Sequence, residues 1–280
     1  MTDENISCIT QVAAWKVKGE KVRQQGERLA TETMLALSIN GLKAFQLLYL
    51  PGLETELTVG FLLTSGIIEA TADIAELRLA PADPAAGRPY AEAQVRLKRT
   101  FANKRDLGAS VVEAMLTGAD SARQSLQAAQ FANFPGVRVQ VSLSEIMTLV
   151  DSLPERQAVF RLTGATHAIY LAQAGTGQVI LGAEDVGRHN AFDKVIGQAL
   201  MKNLPTGDTI ALLSGRASFE MVFKAARAGI PLMASVSAPT SLAVRLAELQ
   251  GITLMGFVRG ERLNIYSHPQ RIAELGIQVV

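Results

Sequence analysis

From about residue 142 the chain alternates short apolar segments with helical patterns, and this alternation constrains the fold more than any other feature. The apolar segments are THAIYLA, QVILGA, TIALLS, PLMASV and ITLMGFV, and helical spacing over 188–202, 216–228 and 239–250 separates several of them. Gly229 and Gly251 follow the last two patterns, where glycine commonly ends a helix. Strands that alternate with helices predict a mainly parallel sheet that is covered on both faces.

The first third of the chain has a different pattern, rich in strands and with one helix. Asn40-Gly41 separates two apolar runs, LALSIN and LKAFQLLYL, and this dipeptide is a strong hairpin signal. Residues 53–65 have helical spacing, and Gly66 follows them at the position where a glycine commonly ends a helix. AELRLA and AEAQVRLKRTF alternate on either side of a loop rich in Pro, Ala and Gly. This region predicts a β-rich unit that contains a helix.

The change of pattern sets the predicted domain boundaries. Ser142 and Glu145 fit a capping box that opens a helix through Leu153, and the strand–helix alternation follows it. The sequence therefore predicts an N-terminal β-rich α+β domain over 1–115, a linker over 116–141, and an α/β domain over 142–280.

Composition narrows the possible functions. The 280 residues carry a net charge of +1 and only 5% aromatic residues, which argues against a nucleic-acid partner or an anionic membrane surface. The apolar stretches are too short to span a bilayer, and MTDENISC lacks the apolar core of a signal peptide. The single cysteine, Cys8, excludes an internal disulfide and favours a reducing compartment. We expect a cytoplasmic protein with neither a nucleic-acid nor a membrane partner.

Polar residues follow four of the predicted strands. QVILGA is followed by EDVGRHN, TIALLS by GRAS, PLMASV by SAPTS, and ITLMGFV by RGER. Because ligands of open α/β sheets bind beyond the C-terminal strand ends, we expect these segments to meet at one edge. Ser214 and Ser237 are expected to cap helices that begin near Arg216 and Pro239. Helix N-termini and arginines bind phosphate, so this edge predicts a site for a phosphorylated, polar small molecule.

Each of these features also has a purely structural explanation. Asp185 could cap the helix from Arg188, Gly-Arg-Ala-Ser is an ordinary strand-to-helix turn, and a lone histidine such as His268 is typically a structural hydrogen-bonder. The sequence contains no phosphate-binding loop, dinucleotide fingerprint, zinc deaminase signature or nucleophile elbow. Three histidines and one cysteine make no convincing zinc set. We therefore predict no metal site.

The chain resembles the formate dehydrogenase accessory sulfurtransferase family, FdhD/NarQ, over roughly residues 30–272. The segments that carry the resemblance are LPGLETEL, GFLLTSGII, TGATHA, EDVGRHNAFDKVIG, SGRASFEMV, KAARAGIP, SVSAPTSLAV and TLMGFVRGERLNIYSHPQRI. The resemblance implies an α/β fold in which a cytidine-deaminase-like three-layer domain accompanies a smaller N-terminal β-rich domain. It also implies a homodimer, with formate dehydrogenase and a cysteine desulfurase as partners.

The resemblance further implies a cargo, the molybdenum or tungsten bis-guanine-dinucleotide cofactor, with a guanine nucleotide as a partial mimic. The residues expected to bind this cofactor are His167, Glu184, Asp185, Arg188, His189, Asn190, Asp193, Lys194, Ser214, Gly215, Arg216, Ser235, Ser237, Thr240, Phe257, Val258, Arg259, Gly260, Glu261 and Arg262.

One feature of the family is missing from this sequence. Family members carry a C-G-V-C-like motif between the two domains, because a persulfide relay needs a thiolate that accepts and releases sulfur. The matching stretch is TGADSARQS, in which the cysteine positions fall at about Ala119 and Ala122 and the intervening residues are Asp120 and Ser121. Neither alanine can carry a persulfide, so no catalytic residue is assigned.

Three hypotheses for the function remain. The first is a protein that binds or delivers the cofactor, or senses a guanine nucleotide, without sulfur chemistry. The second is an active sulfurtransferase that uses a partner thiol or Cys8, which we expect at a mobile N-terminus. The third is a deaminase-like hydrolase, which the missing zinc ligands disfavour. The retained polar motifs favour binding and delivery.

Overall fold

The computed structural model describes residues 8–83, 85, 87–100 and 139–275. It begins with an antiparallel hairpin of β1 (Ile9–Lys18) and β2 (Lys21–Ala30). A four-stranded sheet follows, with β3 (Thr33–Ile39), β4 (Leu42–Tyr49), β5 (Ile74–Ala80) and β6 (Ala91–Leu97) in the order β4-β3-β6-β5. Helix α1 (Glu54–Thr64) and a 3-10 turn (Thr71–Asp73) connect β4 to β5.

The second part of the chain forms a six-stranded sheet with helices on both faces. Its strands are β7 (His167–Gln173), β8 (Gln178–Asp185), β9 (Thr209–Leu213), β10 (Leu232–Ser235), β11 (Thr253–Arg259) and β12 (Arg262–Ser267). Its helices are α2 (Leu143–Asp151), α3 (Leu153–Arg156), α4 (Ala158–Thr163), α5 (Arg188–Met201), α6 (Phe219–Arg227) and α7 (Ser241–Gln250), with 3-10 turns at Pro269–Arg271 and Ala273–Leu275. The strand order is β12-β11-β10-β9-β7-β8.

This sheet is mixed: three of its five pairs of neighbouring strands are antiparallel, so the expectation of a mainly parallel sheet is wrong for the strand pairing. Strands β8, β9, β10 and β11 run in one direction, but β7 lies antiparallel between β8 and β9, and β12 is antiparallel to β11. Only a four-residue turn, AGTG, separates β7 from β8, which suits antiparallel neighbours and leaves no room for a crossover helix. The four strands that share a direction still end at the same edge of the sheet.

Alternating side chains of the six-stranded sheet face two apolar layers. Ile169 and Leu171 of β7 pack with α1, α5, α6 and α7 on one face. Ala168 and Tyr170 point to the other face and pack with α2. This period of two is what a strand with both faces covered requires. The sheet therefore forms the middle of three layers.

A close helix pair joins the two parts of the chain. Gly60 of α1 lies against the backbone of Asp193 in α5, and Gly197 of α5 lies against the backbone of Glu56 in α1. A Cβ atom at either glycine would collide with the facing helix, so only glycine permits this approach. One apolar core runs through both parts.

Most of the predicted linker, 116–141, lies outside the described residues, so the predicted domain boundaries stay predictions.

Several sequence predictions of local structure are confirmed. Asn40 and Gly41 adopt positive φ at the turn between β3 and β4, and α1 ends before Gly66, which also has positive φ. Ser142 caps α2 by accepting a hydrogen bond from the Glu145 backbone N–H at 3.1 Å. The Glu145 carboxylate instead accepts from Gly175 and Gly177, so only half of the predicted capping box forms. Strands β1, β2 and β12 were not predicted from the sequence.

No helix in the described ranges is both long enough and apolar enough to cross a membrane.

Candidate functional site

The C-terminal ends of β8, β9, β10 and β11 and the start of β7 lie along one edge of the six-stranded sheet, which we call the rim. His167, the first residue of β7, is paired with Asp185, the last residue of β8. Gly215, just after β9, is so close to His167 that an added Cβ would lie 3.1 Å from its Nδ1 atom. The rim thus brings together the segments that the sequence placed after separate strands.

Basic side chains gather around His167. Burial lowers the pKa of this half-buried histidine below its usual 6.5, and the nearby charges of Arg188, Arg216 and His189 lower it further. Arg188 is the first residue of α5, whose N-terminal end carries partial positive charge. These residues form a region of positive potential at the rim.

The Arg188 guanidinium contains a polar atom that the described protein leaves unsatisfied. Its Nε is buried, yet it has no hydrogen-bond partner among the described residues. Buried donors are nearly always satisfied in folded proteins, so such an atom indicates a ligand or an ordered water. A phosphate oxygen is a suitable acceptor, because arginine binds phosphate with paired N–H donors.

One carboxylate accompanies these basic residues. Glu220, in the first turn of α6, has its Oε2 atom 3.9 Å from Nε2 of His189. The interaction with His189 lowers the pKa of Glu220 to about 2, against the opposing effect of burial. Glu220 therefore stays ionised near neutral pH and holds His189 beside the N-terminal end of α6.

A cavity of about 580 Å³ adjoins the rim. His167, Ser214 and Arg259 line it from the sheet side, and Gln157 and Phe160 line it from the segment that contains α4. The cavity is large enough for a drug-sized ligand. It combines an apolar wall with a few polar groups that converge on one side.

The loop Phe257–Arg262 borders this region where β11 turns into β12. Phe257 has φ +53 and an exposed ring at a register shift between the two strands. Positive φ is uncommon for a bulky residue and often marks a functional position. Arg259 donates its Nε–H to the Val236 carbonyl at 3.1 Å, and Arg262 pairs with it across the hairpin. Val258 is buried, whereas Gly260 and Glu261 form the exposed turn.

The hydroxyl groups of the rim have structural partners, and two predicted helix caps are wrong. Helix α6 begins at Phe219, so Ser214 does not cap it. The Ser214 hydroxyl instead accepts from the Ala168 backbone N–H and holds the end of β9 to β7. Helix α7 begins at Ser241, and Thr240 caps it through the Ala243 backbone N–H.

Buried Ser235 supports the two loops that follow β9 and β10. Its hydroxyl contacts the carbonyl oxygens of Gly215 and Ser237 and accepts from the Ser237 backbone N–H. It therefore fixes both loops relative to each other.

The acidic residues of EDVGRHNAFDK do not face the rim. Asp185 is fully buried, and its Oδ2 atom lies 2.7 Å from Nζ of Lys194 and accepts from the Leu50 backbone N–H. Its Oδ1 atom accepts from Gly187 and Asn190. Asn190 also donates to the Leu48 carbonyl, and Lys194 donates to the Leu50 carbonyl. This cluster binds the end of β4 to the first turns of α5.

A second buried ion pair involves Asp193, the residue directly before Lys194 in α5. Lys224 of α6 contacts both carboxylate oxygens of Asp193, at 2.6 and 2.8 Å, and both residues also bind the Thr64 hydroxyl of α1. Glu184 has a similar structural role, because it accepts from the backbone N–H groups of Val159 and Phe160 at the start of α4. Four of the predicted cofactor-binding side chains, Asp185, Asn190, Asp193 and Lys194, are thus buried among protein partners.

A larger concavity, of about 1,540 Å³, lies on the outer face of the four-stranded sheet. Its lining includes Ser38, Gln46, Arg78 and Arg96, and none of the candidate residues belongs to the lining. The smaller cavity beside His167 is therefore the better candidate for a binding site.

The remaining sequence expectations concern residues away from the rim. Ala119, Asp120, Ser121 and Ala122 lie outside the described residues. Cys8 is buried rather than at a mobile end, and its Sγ donates to the Pro51 carbonyl at 3.1 Å. His268 is a structural hydrogen-bonder, since its Nε2 lies 2.8 Å from the Glu248 carbonyl oxygen.

The comparisons with known proteins agree on one family. The model of the FdhD/NarQ family matches residues 30–273. A protein of Bordetella parapertussis named sulfur carrier protein FdhD is 39% identical over 255 residues, covering 89% of this chain and 88% of that protein. A protein of the same name from Mycobacterium tuberculosis is 35% identical over 272 residues, covering 91% of this chain and 95% of that protein.

A solved structure is similar over almost the whole chain. It is a crystal structure from Desulfotalea psychrophila, described as that of a formate dehydrogenase accessory protein. It has a TM-score of 0.74 and 25% sequence identity, and the match covers 95% of this chain and 99% of that one.

Proposed function

The chain belongs to the FdhD/NarQ family, and on that premise we propose that it is a formate dehydrogenase accessory protein that binds and delivers a bis-guanine-dinucleotide cofactor of molybdenum or tungsten. The cofactor is cargo, so the protein needs to hold it and release it. The names of the relatives support the accessory role, and the chemistry of the rim supports the choice of ligand.

The observation that carries this proposal is the unsatisfied Nε of Arg188 among the basic side chains of the rim. The guanine dinucleotides bring pyrophosphate groups, which are dianionic and rich in acceptors. Arg188 and Arg216 offer forked donors, and the N-terminal end of α5 offers favourable partial charge. The donor set therefore fits a pyrophosphate better than it fits a neutral ligand.

The cavity and the β11–β12 loop suit the rest of a nucleotide. A guanine base has a flat aromatic face and polar edges. The exposed rings of Phe160 and Phe257 supply surfaces on which a base can stack. Gln157 and Ser214 supply hydrogen-bonding groups at the cavity wall. We assign the phosphates to the Arg188 side of His167 and a base to the cavity side.

The family's sulfur step is the alternative function, and the position of Cys8 disfavours it. A thiolate must reach both the sulfur donor and the acceptor. Cys8 is buried against Leu50 and Val159, and its Sγ contacts the Pro51 carbonyl. Ser121 is a poor substitute, because its hydroxyl remains protonated near neutral pH. Binding and delivery without covalent sulfur transfer is therefore the function we propose.

Calorimetry with GDP tests the proposed ligand. Arg188→Ala should weaken binding by about 1.5–3 kcal/mol, or roughly 10–150-fold, and Arg259→Ala and Arg262→Ala should also weaken it. Arg245→Ala is the matched control, because Arg245 is an exposed arginine of α7. Absence of binding at millimolar GDP would refute the proposal, and so would equal affinity in all variants.

A labelled-sulfur assay tests the alternative. The protein and a Cys8→Ala variant are incubated with a cysteine desulfurase and labelled cysteine. We expect little label on either, whereas stoichiometric label that disappears in the variant would restore the sulfurtransferase hypothesis.

The finer family properties complete the proposal. We propose that the protein acts in the cytoplasm as a homodimer with formate dehydrogenase as client, whereas a cysteine desulfurase is a partner only under the sulfurtransferase alternative. We also propose that its three-layer part is cytidine-deaminase-like. The three layers around the six-stranded sheet support this last assignment.

A further inference from the structure

The hairpin of β1 and β2, which we call the arm, extends away from the rest of the described protein. Its base is anchored, since Cys8, Ile9 and Ala30 pack with Leu50 and Val159. Toward the tip the apolar side chains are exposed: Trp15 by 69%, Val17 by 67% and Val22 by 60%. An isolated two-stranded hairpin is at best marginally stable in water, so an arm of ten residues per strand requires a surface to pack on.

The two faces of the arm differ in charge. Cross-strand partners share a face, and the register of the arm is continuous. One face carries Ala13, Trp15, Val17, Val22 and Gly26, and Arg28 is its one charged residue. The other face carries Lys16, Lys18, Lys21, Arg23 and Glu27. The exposed apolar surface near the tip is therefore concentrated on a nearly uncharged face.

We infer that this nearly uncharged face of the arm, called the uncharged face below, packs on the body of a second copy of the chain. The inference deepens the proposed homodimer and rests on that part of the proposed function. Charge selects the face, because the basic face would bring at least four cations toward a second copy with the same basic arm, whereas the uncharged face avoids that repulsion. The basic face then remains in solvent.

The area that the contact would bury favours a dimer in which each arm packs on the body of the other copy. A ten-residue strand is about 33 Å long and two paired strands are about 10 Å wide, so one face of the arm covers roughly 330 Å². Two arms that meet only each other would bury roughly 660 Å², which is below the ~1,000 Å² expected of a specific interface. Two arms that each cover an equal area on the partner's body would bury roughly 1,300 Å², which suffices.

The same geometry argues against a single-stranded nucleic acid on the arm. Such ligands bind where aromatic rings and cations lie along one groove. Here Trp15 lies on the opposite face from Lys16, Lys18 and Arg23. A strand that stacked on Trp15 would therefore not reach most of the positive charge.

Trp15 provides a direct test, because it is the one tryptophan of the chain. Sedimentation equilibrium and tryptophan emission are measured on the full chain over a dilution series. We expect a dimer whose dissociation is accompanied by a red shift of the emission with the same midpoint. Val17→Glu/Val22→Glu should raise the dissociation constant by roughly 30-fold or more, as loss of an interface centre does, and circular dichroism should be unchanged.

The control adds the same charge elsewhere: Val12→Glu/Leu249→Glu changes exposed residues of the basic face and of α7 and should leave the dimer intact. A protein that is monomeric at the highest concentration, or a dimer that the Val17 and Val22 changes leave unaffected, would overturn the inference. Quenching of Trp15 by an oligonucleotide would do the same. GDP affinity of the dissociated variant is measured separately, so failure of the arm and failure of the nucleotide site are distinguishable.

Discussion

The segment EDVGRHNAFDK contributes to two regions with different electrostatics, the buried contact between α1 and α5 and the exposed rim. In the buried contact, Lys194 and Lys224 each face a carboxylate at 2.7 Å or less. At the rim, Arg188, Arg216 and His189 lie near His167, and the Glu220 carboxylate pairs with His189. Balanced charge holds the two parts of the fold together, whereas the excess of cations at the rim is available to a ligand. The two regions should therefore respond differently to substitution.

The largest expected effect comes from breaking one buried pair. Lys224→Met removes the cation and leaves Asp193 buried without its ionic partner, which should lower the free energy of unfolding by about 3–5 kcal/mol. Arg216→Ala at the rim is the control and should change it by less than about 0.5 kcal/mol, because that side chain is exposed. Urea unfolding measures both.

A double variant sharpens this test. Asp193→Leu combined with Lys224→Met removes both charges and should recover much of the lost stability, because a buried ion pair is often replaceable by apolar side chains. Equal loss in the Lys224 and Arg216 single variants would remove the distinction between the two regions.

The close contact of α1 and α5 gives the next largest effect. Gly60→Ala should gain about 1 kcal/mol from helix propensity, but the added methyl group meets the backbone of Asp193. Backbone cannot rotate out of the way, and overpacking costs about 1–3 kcal/mol or more, so we expect net destabilisation.

Gly207→Ala is the matched control for this substitution. A Cβ at Gly207 meets nothing within 4 Å, so this variant should be neutral or slightly stabilised. Thermal unfolding compares the two glycines, and a Gly60→Ala variant as stable as the wild type would show that the helices can separate without cost.

Helical spacing could have predicted which part of the segment is buried. Asp193, Lys194 and Gly197 lie three, four and seven residues after Asn190, so the four residues share one face of α5. That face turns toward α1 and the end of β4. The sequence predicted a helix over 188–202, but all the polar residues of the segment were assigned to one cofactor site, so its buried face was not distinguished from the rim.

The common direction of β8 to β11 could be predicted, because these strands alternate with helices, and it placed their C-terminal ends at one edge of the sheet. Contacts between residues far apart in the sequence could not be predicted in this way. The partners of Asp193, namely Lys224 and Thr64, lie 31 and 129 residues away in sequence, and neither stands in a polar motif. Glu220 was also not predicted, because an acid in the first turn of a helix is common and does not by itself indicate a site.

A smaller effect is expected at Glu220, where pH separates the rim from the buried contact. Its folded pKa of about 2 lies below the usual 4.5, so its contribution to stability is fully present above pH 4.5 and is lost as the pH falls toward 2. Glu220→Gln should lack this contribution, so wild type and variant should differ at neutral pH and converge near pH 2. Unfolding at several pH values measures the difference, and parallel curves would contradict it.

The smallest effect, and the one most specific to the rim, concerns the proton of His167. Burial and the neighbouring cations favour its neutral form, so its pKa lies below 6.5. Its contribution to stability is therefore present above pH 6.5 and is lost as the pH falls through the lowered pKa. A bound phosphate supplies the opposite charge and raises that pKa, so binding of GDP should take up a proton and should strengthen as the pH falls through this range.

Calorimetry in buffers of different ionisation enthalpy measures the proton uptake, and the difference between wild type and His167→Gln cancels the titration of the nucleotide itself. His268→Gln is the control, because His268 is held by the Glu248 carbonyl away from the rim. Equal proton uptake in wild type and His167→Gln would show that the nucleotide does not approach His167, and the binding site would then have to be sought elsewhere than at the rim.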